Sequence, residues 1–316
     1  MPSATGATIS ADLILAVAYE LNRRAAIHIP NDVRDSIRDM ADRETEKLSK
    51  FVLLEIVNNY EVANADRRPM CADTGLPRFY AKIGNEARIE GGFVAFERSI
   101  REATVRATAE IPLRPNRVHP LTRNDYNNNV GIHAPNVDYS WEPDADWVEL
   151  TAFHKGGLFG GDYRMLFPGD GIDGIRRFYL DVISEFFKRG LSCQPAIVGI
   201  GIGGTKDTCV RLAKEAACLR VVEDRNPDPL IAELEENLAE LGRRSSLSAM
   251  GFKGQGAVMD VHIEVAYTHT GGMPVSIHHQ CFALRRSTAR IHSDEEVAFR
   301  EDPKWFTDYY RRDSVS

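Results

Sequence analysis

The stretch Met70-Cys71-Ala72-Asp73-Thr74-Gly75, with Leu76-Pro77 behind it, sets a soft metal ligand, a carboxylate, a hydroxyl and a helix-breaking glycine side by side. Asp, Thr and Gly after a cysteine make a poor helix interior and a good tight turn. Such a turn can present a thiolate together with turn backbone N–H groups. A structural cysteine more often sits in an apolar run, and one such turn alone does not separate a ligand from a core or surface thiol.

Two other cysteines occupy comparable settings far along the chain. Cys193 lies in Ser192-Cys193-Gln194-Pro195, between a basic helix end at Arg189-Gly190 and the apolar run Ala196–Ile202. Cys281 follows His278-His279-Gln280 and precedes Arg285-Arg286. Cys209 and Cys218 differ: they fall in or just after an expected helix among Ala, Val and Leu, and read as inert core thiols. Three well-spread thiols suit zinc with a histidine as fourth ligand, or an iron–sulfur cluster with one iron left open. Structural zinc normally uses local pairs such as CxxC, and the chain has none.

Around these cysteines the pattern alternates between helix and strand. Helical spacing covers residues 9–29, one long stretch from Asn31 to Tyr60, and 91–109, 172–189, 206–217 and 230–241. Strands are expected near 78–84, 147–153, 196–202 and 257–266, the last with Asp260, His262 and Glu264 alternating as polar packing. Leu113–Asn124 holds two prolines and three arginines before Asn127-Asn128-Asn129, and reads as an extended basic loop. Arginine forks bind carboxylates through two parallel hydrogen bonds. His154-Lys155-Gly156-Gly157-Leu158-Phe159-Gly160-Gly161 opens from a strand into a glycine-rich loop able to line an anion. It lacks the Gly-Lys-Ser/Thr ending of a phosphate loop, and Gly199-x-Gly201-x-Gly203-Gly204 lacks the spacing of a dinucleotide site.

The 316 residues suffice for one large domain or two ordinary ones, and 43% hydrophobic with 27% charged residues is a globular composition. A net charge of −7 gives no basic footprint for nucleic acid. No apolar run approaches the roughly 18 residues of a membrane span, and the N-terminus lacks a signal-peptide pattern. Five cysteines without a CxxC pair point to a reducing, cytoplasmic setting. The expected fold is α+β, a mixed central sheet packed with helices in one large domain over 1–295, with a charged tail at 296–316.

The combination of motifs resembles the α subunit of the class I fumarase / L(+)-tartrate dehydratase family of iron–sulfur hydro-lyases, over roughly residues 10–295. It rests on Cys-x-Asp-Thr-Gly at 71–75, Leu-Arg-x-Asn-x-Val at 113–118, Lys-Gly-Gly at 155–157, Cys-x-Pro-x-Ile-Val-Gly-Ile-Gly-Ile-Gly-Gly-Thr at 193–205 and His-x(11)-Cys at 269–281. The Met165-Leu166-x-Pro168-x-x-Gly171 segment is closer to the tartrate branch. The resemblance implies a [4Fe–4S] cluster held by Cys71, Cys193 and Cys281. It implies substrate contacts from Arg114, Lys155, Gly156, Gly157 and Ala72, with Asp73 and His269 against the substrate hydroxyl. It further implies a separate β subunit, a swivelling domain that completes the active site and carries the general base, in an α2β2 assembly.

The chemistry implied is reversible loss of water from a small 2-hydroxy dicarboxylate of tartrate or malate/fumarate type. An open iron polarises the hydroxyl, which is a poor leaving group, and templates a carboxylate. A neighbouring acid protonates the departing water. Fixed arginine charge stabilises the aci-carboxylate. Leu158-Phe159-Gly160-Gly161 interrupts the family's usual glycine-rich loop, with Tyr163 and Arg164 behind, and Leu158, Phe159 and Tyr163 keep a bulkier hydroxy acid open as substrate. A non-catalytic iron–sulfur or zinc-binding regulator is the alternative of another class. The family gives no role to His278 and His279.

Overall fold

The Ser10 hydroxyl accepts from the Leu13 N–H at 3.3 Å and starts α1 (Ala11–Ile27). A computed structural model describes residues 8–156, 161–190 and 193–306. The chain divides into two compact units, one of Met1–Pro30, Ala63–Lys155 and Arg285–Ser316, the other of Asn31–Val62 and Gly156–Leu284. The mixed α+β class holds, but each unit has its own sheet where one central sheet was expected.

In the first unit β1 (Leu76–Gly84), α4 (Gly92–Glu110), β2 (Asn136–Glu142), β3 (Val148–Lys155), β8 (Arg285–Ile291) and β9 (Val297–Arg300) follow α1. The strand order is β2-β1-β3-β8-β9, with β1 and β2 parallel and the remaining pairs antiparallel. Ile14, Val17 and Leu21 of α1 and Phe96, Ile100 and Ala103 of α4 pack with Phe79, Ala81, Leu150 and Ile291 of the sheet. Each large side chain so buried contributes about 1.5–3 kcal/mol. β9 and the buried Trp305, whose ring meets Tyr80 edge-on at 5.2 Å, take residues out of the expected tail. Val297 and Phe299 supply the strand alternation there, which the surrounding charges mask.

The second unit contains α2 (Asn31–Arg43), α3 (Lys47–Asp66, whose last turn belongs to the first unit), β4 (Gly161–Leu166), α5 (Gly171–Lys188), β5 (Ala196–Gly203), α6 (Lys206–Leu219), α7 (Pro229–Arg243), β6 (Val258–Ala266) and β7 (Met273–Gln280). The single long helix expected from 31 to 60 is broken after Arg43. Glu44 turns back on the chain there: Oε1 accepts from the N–H groups of Thr45 and Glu46, and Oε2 from the Ser248 hydroxyl and the Gln255 N–H.

The second sheet has the order β4-β7-β5-β6, with only β5 and β6 parallel. Phe178, Tyr179 and Val182 of α5 and Leu234 and Leu238 of α7 pack with Val198, Ile200 and Val261. On β5, Gly199 and Gly201 alternate toward α6. A Cβ at either would lie 2.0 Å from a helix carbonyl, that of Ala213 or Cys209. The glycine run is therefore a packing surface for a helix.

The outer strand β6 is closed by side chains. Glu235 accepts the Ile263 N–H at 2.7 Å, and the Asn226 amide donates to the Ile263 carbonyl at 2.9 Å. Asp260 and Glu264 hold Arg225 and Arg220 at 3.0 and 2.9 Å, so the polar alternation of β6 anchors the 220–226 segment. Among the described residues no helix is long and apolar enough to cross a membrane.

Each unit buries a histidine completely. Burial, with Arg285 adding to it, pushes His154 down to about 3. Burial likewise pushes His262 down to about 4, against the pull of Asp260. Both fold neutral, while the unfolded chain takes up protons below about pH 6.5. Stability is then lost as pH falls from 6.5 toward 4, by about 2 kcal/mol for each histidine at pH 5. His154→Gln and His262→Gln should each shrink the loss of urea-denaturation midpoint between pH 7 and pH 5.

Candidate active site

In the first unit the expected turn forms and is held from three sides. The Asp73 carboxylate accepts the Gly75 N–H at 3.1 Å, closing an Asx turn, and the Asn116 side-chain amide at 2.8 Å. The same Asn116 amide donates to the Gly75 carbonyl at 3.0 Å. Thr74 is buried, and its hydroxyl accepts the Arg114 N–H at 2.8 Å. Behind the turn lies Arg285, 2% exposed. It donates from Nη1 to the Asp73 carbonyl and from Nε to the His154 carbonyl at 3.1 Å. Gly75 has φ +84°, and a Cβ there would lie 2.7 Å from the His154 oxygen, so only glycine fits.

Cys71 and Ala72 stand exposed at the start of this turn. Arg114 has its backbone fixed at both ends, by Thr74 at its N–H and by the Asn129 amide at its carbonyl (3.1 Å), while the residue itself is exposed. Asn129 is fully buried in the left-handed region at φ 58°, and its side-chain oxygen accepts the Asn116 N–H at 2.9 Å. Arg117 donates to the Pro77 carbonyl at 2.7 Å, and burial beside Arg78 lowers its pKa to about 10. His154 Nε2 lies 2.8 Å from Asn22 Oδ1; the neutral ring carries its proton on Nε2 and donates it there. Lys155 is buried at the end of β3.

In the second unit the loops of Cys193 and Cys281 are joined. The Phe282 N–H donates to the Cys193 carbonyl at 3.4 Å. Gln280 clamps the same loop, its amide donating to the Cys281 carbonyl at 3.1 Å and the Ala283 carbonyl at 3.2 Å, with Cys281 Sγ at 3.5 Å. The Tyr60 hydroxyl of α3 donates to the Phe282 carbonyl at 2.9 Å. Cys193 is exposed and Cys281 almost fully buried. His269 is exposed on the loop after β6. Its Nδ1 accepts the Gly271 N–H at 3.0 Å, so the neutral ring carries its proton on Nε2.

The remaining cysteines and histidines of this unit have packing roles. Cys209 donates to the Gly201 carbonyl at 3.1 Å, and burial pushes its thiol up to about 12; Cys218 is buried as well. His279 packs against Phe186 and Phe187 of α5, ring centroids 4.7 and 5.9 Å away. His278 stands in register with Gly161 and Gly199.

Gly156 is buried, whereas Gly157, Leu158, Phe159 and Gly160 lie outside the described residues. Cys71, Ala72, Asp73, Arg114 and Lys155 belong to the first unit, and Gly156, Cys193, His269 and Cys281 to the second. Among the described residues no three His, Cys, Asp or Glu side chains close into a ready-made metal cage. The local donor chemistry does suit iron–sulfur ligation. The loops of Cys193 and Cys281 are joined, and the Gln280 side-chain amide faces the Cys281 sulfur. The buried Gln280 Oε1 has no hydrogen-bond partner, so the clamp is anchored from its nitrogen side only. Sequence reasoning missed Asn116, Asn129, Gln280 and Arg285 as supports. Asn116 sat inside a quoted motif and Arg285 four residues after a candidate ligand, so both were within reach.

A family model described as fumarate hydratase (Fumerase) matches residues 16–290. A protein of Methanocaldococcus jannaschii named putative L(+)-tartrate dehydratase subunit alpha is 40% identical over 286 residues, 89% of this chain and 98% of that one. The L(+)-tartrate dehydratase subunit alpha of Escherichia coli strain K12 is 32% identical over 268 residues, 84% of this chain and 86% of that one. The family is one of iron–sulfur enzymes. With its cysteine loops, its pinned Asp73 turn and matches that span most of its length, the chain belongs to the class I fumarate hydratase family and is a hydro-lyase of the fumarate hydratase / tartrate dehydratase type.

Proposed function

We propose that this chain is the catalytic α subunit of a two-subunit [4Fe–4S] hydro-lyase, acting in the cytoplasm on a small 2-hydroxy dicarboxylate of L-tartrate or malate/fumarate type. The pinned turn is the observation that carries the reading: Asp73 is oriented by Asn116, two residues from the Arg114 mount, so a carboxylate and a guanidinium are delivered by one network. Cys71, Cys193 and Cys281 would hold the cluster, which supplies a Lewis acid at the iron lacking a cysteine ligand. The protein's own groups do the rest. Arg114 binds a substrate carboxylate through its planar fork and holds positive charge where the aci-carboxylate develops. Lys155, Ala72 and the Gly156–Gly157 backbone line the other carboxylate.

Among the described residues both hydrogen bonds to the Asp73 carboxylate fall on Oδ1, which leaves Oδ2 to accept from the substrate hydroxyl. His269, protonated on Nε2, donates a hydrogen bond that orients the departing hydroxide. The C–O bond breaks as the neighbouring C–H proton is taken by a base on the β subunit, forming the C=C bond and water. The relatives' names, subunit alpha, support a separate partner.

Anaerobically reconstituted chain should carry iron and a visible chromophore yet lack turnover until the β subunit is added. A panel of hydroxy dicarboxylates assayed with both subunits checks this, and full turnover by this chain alone would refute it. Cys71→Ser, Cys193→Ser and Cys281→Ser should each lose the chromophore and bound iron, whereas Cys209→Ser should retain both, read by iron analysis and visible absorption. Asn116→Ala frees the Asp73 carboxylate and should lower kcat by about a hundredfold in the two-subunit enzyme, with iron content unchanged.

A further inference from the structure

Each candidate cluster cysteine of the second unit has a glutamine as its chain neighbour: Gln194 follows Cys193 and Gln280 precedes Cys281. Both are buried, at 3% and 0% exposure. They lie at the same end of the second sheet. β5 begins at Ala196, two residues after Gln194, β7 ends on Gln280, and Ile197 stands opposite Gln280 in the antiparallel register. A buried polar group without a partner costs about 1–3 kcal/mol, so two buried amides beside two such thiols call for an explanation.

Gln280 shows where its amide is directed. Nε2 has two protons and faces three acceptors: the Cys281 carbonyl at 3.1 Å, the Ala283 carbonyl at 3.2 Å and Cys281 Sγ at 3.5 Å. Carbonyl oxygens only accept, so the nitrogen of the amide must face them and not its oxygen. That orientation turns Oε1 away and leaves it buried with no hydrogen-bond partner. Gln194 has the complementary defect. Its Nε2 is a buried donor with no acceptor among the described residues, one residue from Cys193. Thiolate and sulfide sulfurs only accept hydrogen bonds. They are the acceptors that a second N–H donor at this place lacks.

We infer that Gln194 and Gln280 are positioning residues for the iron–sulfur cluster, donating amide N–H groups to its sulfur atoms beside Cys193 and Cys281 and so raising its reduction potential. The inference rests on the cluster reading proposed above. A donated N–H draws electron density from sulfur and stabilises the more negative, one-electron-reduced state. The amides are neutral, so they tune the potential without altering the net charge of the loops.

The two-subunit enzyme, reconstituted anaerobically and titrated against electrode potential with EPR of the reduced cluster as the signal, tests it. Gln194→Leu and Gln280→Leu exchange a neutral side chain for another of similar size. Each should retain iron and lower the midpoint potential by about 59 mV, a tenfold change in the ratio of reduced to oxidised cluster. Tyr60→Phe frees the Phe282 carbonyl of the same loop without touching a sulfur, and should leave the potential unchanged. With isotope-labelled nitrogen in the glutamine side chains, pulsed EPR of the reduced wild type should show side-chain nitrogen coupled to the cluster. That measurement decides the matter even where a leucine variant fails to load. Wild-type potentials in the leucine variants at full iron content overturn the inference, as does an absence of nitrogen coupling or an equal shift in Tyr60→Phe. A protein that takes up no iron, or takes it up equally with Cys71, Cys193 and Cys281 all replaced by serine, overturns the cluster reading and this inference with it.

Discussion

Gly75 presses its α-carbon against the carbonyl of His154, and the geometry of the turn at 71–75 depends on that contact. A left-handed residue with no room for a Cβ fixes the chain path. Once it is fixed, the Asp73 carboxylate has one place to go and the Thr74 hydroxyl meets the Arg114 N–H. Arg285 makes the contact permanent. A buried guanidinium is costly unless its donors find partners, and it bonds the carbonyls on both sides of the junction, Asp73 and His154. Hydrogen bonds to a charged group contribute about 1.5–3 kcal/mol each. The neighbouring His154 stays neutral and adds no further charge beside the guanidinium.

The second unit applies the same logic with an amide in place of a guanidinium. Gln280 donates to two carbonyls of the loop that follows it, and Tyr60 reaches in from a helix more than two hundred residues earlier to take the Phe282 carbonyl. The Cys193 loop joins through its backbone alone. In both units the groups assigned to chemistry sit on irregular chain, and strands or buried polar side chains restrain that chain. The contrast with Cys209 is instructive. Its sulfur bonds a strand carbonyl inside a closed helix–sheet contact, and burial holds its proton on.

Much of this was legible in the residues. The turn at 71–75, the odd settings of Cys193 and Cys281 and the inert character of Cys209 and Cys218 follow from local composition. The mixed α+β class follows from the alternation of helical and strand spacing. What escaped reading was long-range. β2, β7 and β8 lack clean alternation because their polar residues are satisfied by distant partners, as Arg290 is by Glu149 at 2.9 Å. One sheet became two because the chain leaves and re-enters each unit, a fact of topology with no local signature. The break between α2 and α3 needs Ser248 and Gln255, two hundred residues away, to hold Glu44 in place. Asn116 and Arg285 looked like surface polar residues until their partners were in position.

The closure of β6 bears on how this protein can associate. An outer strand with open N–H and C=O groups invites any extended segment to add to it, and sheets so extended grow without limit. Here Glu235 and Asn226 occupy the backbone groups of Ile263 with side chains, and Arg220 supports the glutamate from behind. Along that border, recognition of another polypeptide must proceed through side-chain shape and charge, which discriminate among partners, instead of through main-chain pairing, which does not.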